Sequence, residues 1–328
     1  MTTINRDTLE AMLRSSPGFG TASVSEMRAA YDAGGSVSPA DASIQHIRAD
    51  GAGVPIEIGV SPGAELQKAI LFLHGGGYVI GSTKSHRGFV GRLGIAAGVR
   101  TVTPDYRLAP EHPFPAAVDD AVAVYRWLLS ECAPEKIALA GDSAGGGLVV
   151  AALVRARQEG LSMPAAVALF SPLVDLAAGG ESMLEKAAQD PSVTADTIAR
   201  FRAMYLAGED ACTPLASPIH ADLHGFPPML IHVGTAEVLL DDSLRLARRA
   251  AVADVAVELK AWPQLPHVWQ FFAGIFLEGQ QSIEEAGAFL RSHLASQSHS
   301  ASALLRAPTP KSHCAVNPPS TASVAPVM

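Results

Sequence analysis

Cysteines and basic residues are both scarce in this 328-residue sequence, and each shortage excludes a class of protein. The three cysteines, Cys132, Cys212 and Cys314, lie far apart and are odd in number, so we expect neither a disulfide framework nor a metal site. The 24 basic residues are outnumbered by 32 acidic ones, which gives a formal net charge of −8. Because phosphate binding needs a basic surface, nucleic acid is not expected as a partner.

Long uninterrupted apolar runs are also missing. No stretch predicts a membrane span, and residues 1–14 lack the apolar segment of a signal peptide. We therefore expect no membrane span and a location in the cytoplasm. Hydrophobic residues nevertheless make up 48% of the chain, which is enough for a large buried core.

Short apolar runs alternate with longer amphipathic stretches from about residue 54 onward. This alternation predicts an α/β fold, in which helices cover both faces of a mostly parallel sheet. The predicted strands cover residues 70–73, 100–103, 137–140, 167–170, 229–233 and 255–259. The predicted helices lie near residues 86–97, 115–131, 144–159, 240–253 and 279–295.

Three segments depart from the alternation. Residues 1–48 are predicted to form an N-terminal helical cap segment, which precedes a catalytic domain over residues 49–297. Within that domain, residues 181–215 have apolar side chains at helical spacing and predict an inserted helical segment, either extra scaffold or part of a lid. Residues 298–328 are rich in Ser, Pro and Ala and predict a disordered tail.

The run Gly141-Asp142-Ser143-Ala144-Gly145 fits the pattern G-x-S-x-G. A predicted strand leads into it and a predicted helix leads out, which is the context of a nucleophile elbow. Glycines on either side of such a turn let strand and helix approach closely, while the serine occupies a strained conformation with its hydroxyl projecting outward. The alternative is a glycine-rich turn with a capping serine. We predict that Ser143 is the nucleophile.

An oxyanion loop is predicted from His74-Gly75-Gly76-Gly77, which follows the strand at 70–73. An HGGG segment in this place supplies backbone N–H donors in α/β-hydrolases, together with the N–H of the residue after the nucleophile. We therefore predict Gly76, Gly77 and Ala144 as oxyanion donors. His74 and Gly75 are expected to support the loop.

The general base is predicted by elimination among the histidines that follow Ser143. His267 lies in a loop after the last predicted strand, where a base could reach the nucleophile. The others are predicted in the tail, in the last helix, in a strand or in the segment that leads to that strand: His220, His224, His232, His293, His299 and His313. A histidine on a surface loop is the plain alternative for His267.

The acid is expected in the loop after the strand at 229–233, since the chain order in this fold is Ser, acid, His. Glu237 comes first in that loop, and Asp241 and Asp242 follow where a helix starts. Carboxylates in the first turn of a helix commonly interact with the helix dipole. We therefore favour Glu237 as the residue that orients His267 and stabilises its charged form.

Together these motifs resemble the bacterial hormone-sensitive lipase family of esterases over roughly residues 45–295. The stretch from Asp105 to Ala117 is similar to a further family motif and is predicted to brace the site. The family acid is usually Asp in D-P-L-x-D-E, whereas this chain has Glu237 followed by Val238. The resemblance implies an α/β-hydrolase fold with a helical cap, short- to medium-chain ester substrates, no metal or organic cofactor, and in many members a homodimer.

The predicted function is hydrolysis of small carboxylic esters through Ser143, His267 and Glu237 and an acyl-enzyme. The same triad could serve an amidase or a lactonase. A third possibility is a non-catalytic homologue that binds small ligands, although such proteins have lost the histidine that is present here as His267.

Overall fold

The computed structural model of the protein describes residues 3–16 and 20–295. Its strands are β1 (Gln45–Gly51), β2 (Val54–Val60), β3 (Glu65–Leu73), β4 (Val99–Pro104), β5 (Ile137–Asp142), β6 (Ala166–Phe170), β7 (Met229–Gly234) and β8 (Val257–Trp262). Its helices are α1 (Arg6–Ser15), α2 (Val24–Gly34), α3 (Thr83–Ala97), α4 (Ala116–Glu131), α5 (Ala144–Gln158), α6 (Ser182–Glu185), α7 (Ala195–Leu206), α8 (Leu240–Val252) and α9 (Leu277–Ala295). Short 3₁₀ helices cover Gly35–Val37, Pro134–Lys136, Pro218–His220 and Trp269–Phe272.

The described strands form one sheet in the order β1-β2-β4-β3-β5-β6-β7-β8. From β4 to β8 in this order every neighbouring pair is parallel, whereas β1 and β2 are antiparallel. This confirms the predicted mostly parallel sheet. Because parallel strands end at the same edge, the loops after β3, β5, β6, β7 and β8 are brought together there.

Both faces of the sheet are covered by helices. Along β3, Leu71 and Leu73 belong to one buried cluster and Ile70 and Phe72 to another, as the alternation of side chains along a strand requires. Helices α4 and α5 add side chains to the first cluster, and α3 and α9 add them to the second. Apolar burial on both faces explains why the central strands are continuous apolar runs.

The structure corrects several boundaries. Residues 45–48 belong to β1, and within the described part of the segment predicted over 1–48 the helices are α1, α2 and a short 3₁₀ turn. Strands β1 and β2 were not predicted. Strand β1 is mostly exposed and carries polar residues, so it lacks the apolar run of a buried strand. The strand predicted at 255–259 lies at 257–262. The tail predicted over 298–328 lies outside the described residues.

The segment predicted to be inserted at 181–215 contains α6 and α7 between β6 and β7. Helix α7 begins after the N-cap Thr194, whose side chain accepts a hydrogen bond from the Thr197 N–H. Over residues 3–16 and 20–295, no helix has the length and apolar character needed to cross a membrane.

Candidate active site

Ser143 lies at the sharp turn between β5 and α5. Its backbone has φ 51° and ψ −124°, a conformation that residues other than glycine rarely adopt. Gly145 follows in the first turn of α5, where a Cβ would overlap the carbonyl oxygens of Leu73 and His74. The predicted strand-turn-helix with a strained serine is therefore present, and only glycine fits at position 145.

His267 lies on the loop between β8 and the 3₁₀ helix at Trp269–Phe272. Its Nε2 is 2.9 Å from Oγ of Ser143, and its Nδ1 is 2.6 Å from Oε2 of Glu237. When the imidazole is neutral, Nδ1–H donates to the carboxylate, so Nε2 is free to accept the hydroxyl proton of Ser143. This is the order of contacts that activates a serine nucleophile.

Glu237 is fully buried in the loop after β7. While Oε2 faces His267, Oε1 accepts hydrogen bonds from the Gly234 N–H at 2.6 Å and from the Ser171 hydroxyl at 2.8 Å. Both oxygens are thus bonded, which fixes the carboxylate in one orientation. The side chain of Glu237, which is longer than that of the Asp usual at this position in the family, reaches His267.

Asp241 and Asp242 lie in the first turn of α8, as predicted, but their carboxylates bond to other segments. The Asp241 carboxylate accepts from the Ser182 N–H at 2.8 Å, and that of Asp242 accepts from the Val174 and Asp175 N–H groups at 2.8 and 3.0 Å. Burial raises the pKa of Asp242 to about 7, although these two N–H groups oppose the rise. The structure therefore brings Glu237, and not Asp241 or Asp242, to His267.

The electrostatic environment of His267 favours its charged form. Burial alone would lower the pKa of the imidazole, but the Glu237 carboxylate and its hydrogen bond outweigh burial and raise the pKa above the ordinary value. Asp190 and Asp142 add to the rise. The site can therefore stabilise the imidazolium that forms when His267 takes a proton.

The backbone of the loop His74–Gly77 is fixed by hydrogen bonds to side chains. The Gly75 N–H donates to the Asp142 carboxylate at 2.9 Å, and the Tyr106 hydroxyl donates to the His74 carbonyl at 2.6 Å. Burial lowers the pKa of His74 to about 4, so the ring is neutral, and its Nδ1–H donates to the Gly75 carbonyl at 2.8 Å. Tyr106 belongs to the stretch predicted to brace the site.

The backbone N–H groups of Gly76, Gly77 and Ala144 donate to no acceptor within residues 3–16 and 20–295. Gly76 has φ 113°, and a Cβ there would overlap the carbonyl oxygen of Ile80. The loop conformation that leaves these donors uncommitted is thus open only to glycine at position 76. The N–H of Gly75 is taken by Asp142, so Gly75 supports the loop and is not itself available as a donor.

The inserted segment packs directly on this loop. The ring of Phe201 covers the Cα of Gly77, and the ring of Tyr205 stacks on Tyr78 with centroids 3.9 Å apart and planes 7° apart. Phe201 and Tyr205 belong to α7, whereas Gly77 ends the oxyanion loop and Tyr78 directly follows it. The side chains of Tyr78, Phe201 and Tyr205 are all buried.

Sequence reasoning missed the supporting roles of Ser171 and Asp142. Ser171 directly follows β6, and Asp142 is the last residue of β5. Their place at the carboxyl ends of neighbouring parallel strands was the available signal, because side chains at those ends converge on one site.

Comparison with known proteins agrees with this geometry. A family described as having the alpha/beta hydrolase fold matches residues 70–271. The crystal structure of an esterase from the bacterial hormone-sensitive lipase family superposes with a TM-score of 0.85 at 46% identity, covering 88% of this chain and 97% of that one. The structure of the esterase EstE5 soaked with p-nitrophenyl butyrate has a TM-score of 0.85 at 43% identity, covering 88% and 98% of the two chains.

An acetyl-hydrolase of Streptomyces hygroscopicus is 47% identical over 233 residues, which are 71% of this chain and 78% of that protein. An esterase of Acinetobacter venetianus is 34% identical over 231 residues, which are 70% and 76% of the two chains. Fold and relatives together define an α/β-hydrolase that acts on carboxylic esters. More narrowly, the chain belongs to the bacterial hormone-sensitive lipase family of carboxylesterases.

Proposed function

We propose that the protein hydrolyses short- to medium-chain carboxylic esters through a Ser143-His267-Glu237 triad and a covalent acyl-enzyme. The observation that carries the proposal is the continuous hydrogen-bonded series from Ser143 Oγ through His267 to Glu237, with contacts of 2.9 and 2.6 Å. The strained backbone of Ser143 and the uncommitted N–H groups of Gly76, Gly77 and Ala144 support it.

In the first half of the reaction, Oγ of Ser143 attacks the ester carbonyl carbon while His267 Nε2 takes the hydroxyl proton. The carbonyl oxygen gains the negative charge and accepts hydrogen bonds from the three backbone N–H groups. The bond from carbon to the alcohol oxygen then breaks, and His267 gives its proton to the departing alcohol. Ser143 is left as an acyl ester.

In the second half, water attacks the acyl carbon and His267 takes a proton from it. A second oxyanion forms in the same place, and its collapse breaks the bond to Ser143 Oγ, which regains a proton from His267. The carboxylic acid leaves. Glu237 keeps its charge throughout and stabilises the imidazolium in both halves.

The preference for short acyl chains rests on the inserted segment and on the relatives. Phe201 and Tyr205 fill the space against Gly77 and Tyr78, so aromatic rings border the oxyanion loop. One similar protein is named an acetyl-hydrolase, and another was soaked with a butyrate ester. Acetyl and butyryl are both short acyl groups.

We further propose that α1 and α2, with the inserted segment at 181–215, form the cap over the site. Arg28 of α2 supports this role, because its Nε donates to the Val79 carbonyl at 2.9 Å just beyond the oxyanion loop. The homodimer and the location in the cytoplasm stay predictions. Sedimentation of the purified chain tests the first and cell fractionation the second.

The test is a panel of p-nitrophenyl esters from acetate to palmitate, assayed with the wild type and with Ser143→Ala. We expect kcat/KM to fall for the longest chains, and loss of the serine to lower kcat by about 10⁶-fold, to near the background rate. A p-nitroanilide of the same acyl group distinguishes ester from amide hydrolysis. Unchanged activity in Ser143→Ala would contradict the proposal.

A further inference from the structure

The turn that follows Glu237 is hydrogen-bonded to two residues of the inserted segment. The N–H of Val238 donates to Oδ2 of Asp190 at 3.0 Å. The carbonyl of Val238 accepts from the Ser182 hydroxyl at 2.7 Å, and the same hydroxyl accepts from the Asp241 N–H at 3.0 Å. Asp190 and Ser182 thus bond to the peptide groups on both sides of the residue next to Glu237.

The Asp190 carboxylate is itself fixed. Asp190 is 5% exposed, and its Oδ1 accepts from the N–H groups of Ser192 and Val193, each at 2.9 Å. With the Val238 N–H, the carboxylate therefore accepts three backbone donors and offers none. These three donors hold the carboxylate in one orientation.

Three carboxylates from three different elements act on the charge of His267. Glu237 comes from the loop after β7, Asp142 from the end of β5, and Asp190 from the inserted segment. Each of them favours the charged imidazole and raises its pKa, with Glu237 having the largest effect of the three. Asp190 is therefore linked to the base through its charge and to the acid through the backbone of Val238.

We propose that Asp190 is a positioning residue of the triad, through which the inserted segment fixes the Glu237 turn and places a negative charge near His267. The proposal rests on the triad proposed above. It gives the inserted segment a role in the chemistry besides covering the site. A displacement of this segment would release the turn that holds the acid.

Asp190→Asn separates this role from a merely structural one, because two distinct effects are expected: a fall in kcat/KM and a shift of the acid limb of the pH profile to lower pH. The amide oxygen can still accept from Ser192 and Val193, so the local turn is kept. The NH2 group that replaces Oδ2 cannot accept from the Val238 N–H, so that bond is lost. We expect kcat/KM to fall about tenfold with little change in KM, since a small misplacement of catalytic groups slows the chemical step. Loss of the charge lowers the pKa of His267, so the acid limb of the pH profile moves to lower pH.

Two further variants complete the design. Asp210 is an aspartate in the same segment whose side chain accepts from the Cys212 N–H at 2.9 Å, a purely local contact, so Asp210→Asn is the matched control. Ser182→Ala removes the second anchor of the turn without changing charge. It is expected to lower kcat/KM several-fold and to leave the acid limb in place.

The decisive readout is the titration of His267 followed by NMR in protein labelled with ¹⁵N-histidine, with His267→Gln used to assign the signal. We expect a lower midpoint in Asp190→Asn than in the wild type and in Asp210→Asn. An unchanged midpoint in Asp190→Asn overturns the role of Asp190. If Asp190→Asn does not fold, a kcat/KM of Ser182→Ala equal to that of the wild type overturns the proposal that the inserted segment fixes the Glu237 turn. The titration needs no turnover, so it still decides the question if the wild type fails to hydrolyse esters, a result that would contradict only the proposed function.

Discussion

The two halves of the site are built in different ways. On the nucleophile side, Ser143 and Gly76 lie in backbone turns with positive φ, at 51° and 113°, in which glycines allow close approach of the chain. On the acid-base side, Glu237 and His267 lie in loops that are fixed by side chains such as Ser171, whose hydroxyl bonds to Glu237 at 2.8 Å. One half depends on backbone conformation and the other on tertiary hydrogen bonds.

This difference predicts how each half fails. A substitution on the nucleophile side adds atoms where there is no space, so it distorts the backbone and displaces the oxyanion donors. A substitution on the acid-base side removes one bond from a network that has others, so its cost depends on which bond is lost. In the proposed triad, the bond from Glu237 to His267 sets the tautomer of the base, whereas the bond from Ser171 to Glu237 orients the acid.

The largest of these effects is expected for Glu237→Gln. A glutamine amide facing Nδ1 favours the wrong tautomer of His267, and the corresponding change in a related triad lowers kcat by about 10⁴-fold. Steady-state kinetics on p-nitrophenyl butyrate measures the loss, and Asp241→Asn is the comparison because Asp241 bonds to Ser182 and not to His267. A greater loss in Asp241→Asn than in Glu237→Gln would show that the wrong acid has been chosen.

Gly76→Ala tests the nucleophile side. The new Cβ overlaps the Ile80 carbonyl, so the loop shifts and kcat is expected to fall about 10²–10³-fold, as for loss of an oxyanion donor. Gly63→Ala is the matched control, since Gly63 has a φ of 78° but nothing within 4 Å of the added Cβ. It should lower only the free energy of unfolding, by about 1 kcal/mol. Equal activity in Gly76→Ala and Gly63→Ala would contradict the claim that the nucleophile side depends on its backbone conformation.

Ser171→Ala removes one of the two donors to Oε1 of Glu237, and the Gly234 N–H remains. We expect kcat/KM to fall about tenfold, because one hydrogen bond to a charged group contributes about 1.5–3 kcal/mol and part of the orientation is kept. Ser130→Ala is the control, since among the described residues that hydroxyl bonds only to the Trp127 carbonyl, which lies within the same helix. A loss as large as that of Glu237→Gln would mean that Ser171 has more than an orienting role.

The smallest effect concerns pH. In the proposed mechanism His267 must be neutral to take the proton of Ser143. The raised pKa of His267 means that the imidazole stays protonated to a higher pH than an ordinary histidine. Activity should therefore fall as pH decreases, with the midpoint of the acid limb of kcat/KM above about 6.5, the ordinary histidine value. A midpoint below that value, measured with an uncharged ester, would contradict the electrostatic description of the site.

The same contrast explains what could be predicted from the sequence. The nucleophile side was visible because its backbone conformations demand glycines, so they appear as the short motifs around Gly76 and Ser143. Glu237 and His267 could be chosen only by chain order and position. Ser171 and Asp190 were not found, because their contacts join residues 66 and 48 positions apart and leave no local pattern. Strand β1 was missed for a different reason, since an exposed edge strand lacks the apolar run of the buried strands.

Labelling with a fluorophosphonate tests most directly whether Ser143 is activated by His267. Mass spectrometry of the modified protein should place the label on Ser143 in the wild type. In His267→Ala, which lacks the base, labelling should be slower by orders of magnitude. Absence of label on Ser143, or labelling at the same rate in both proteins, would contradict a serine activated by that histidine.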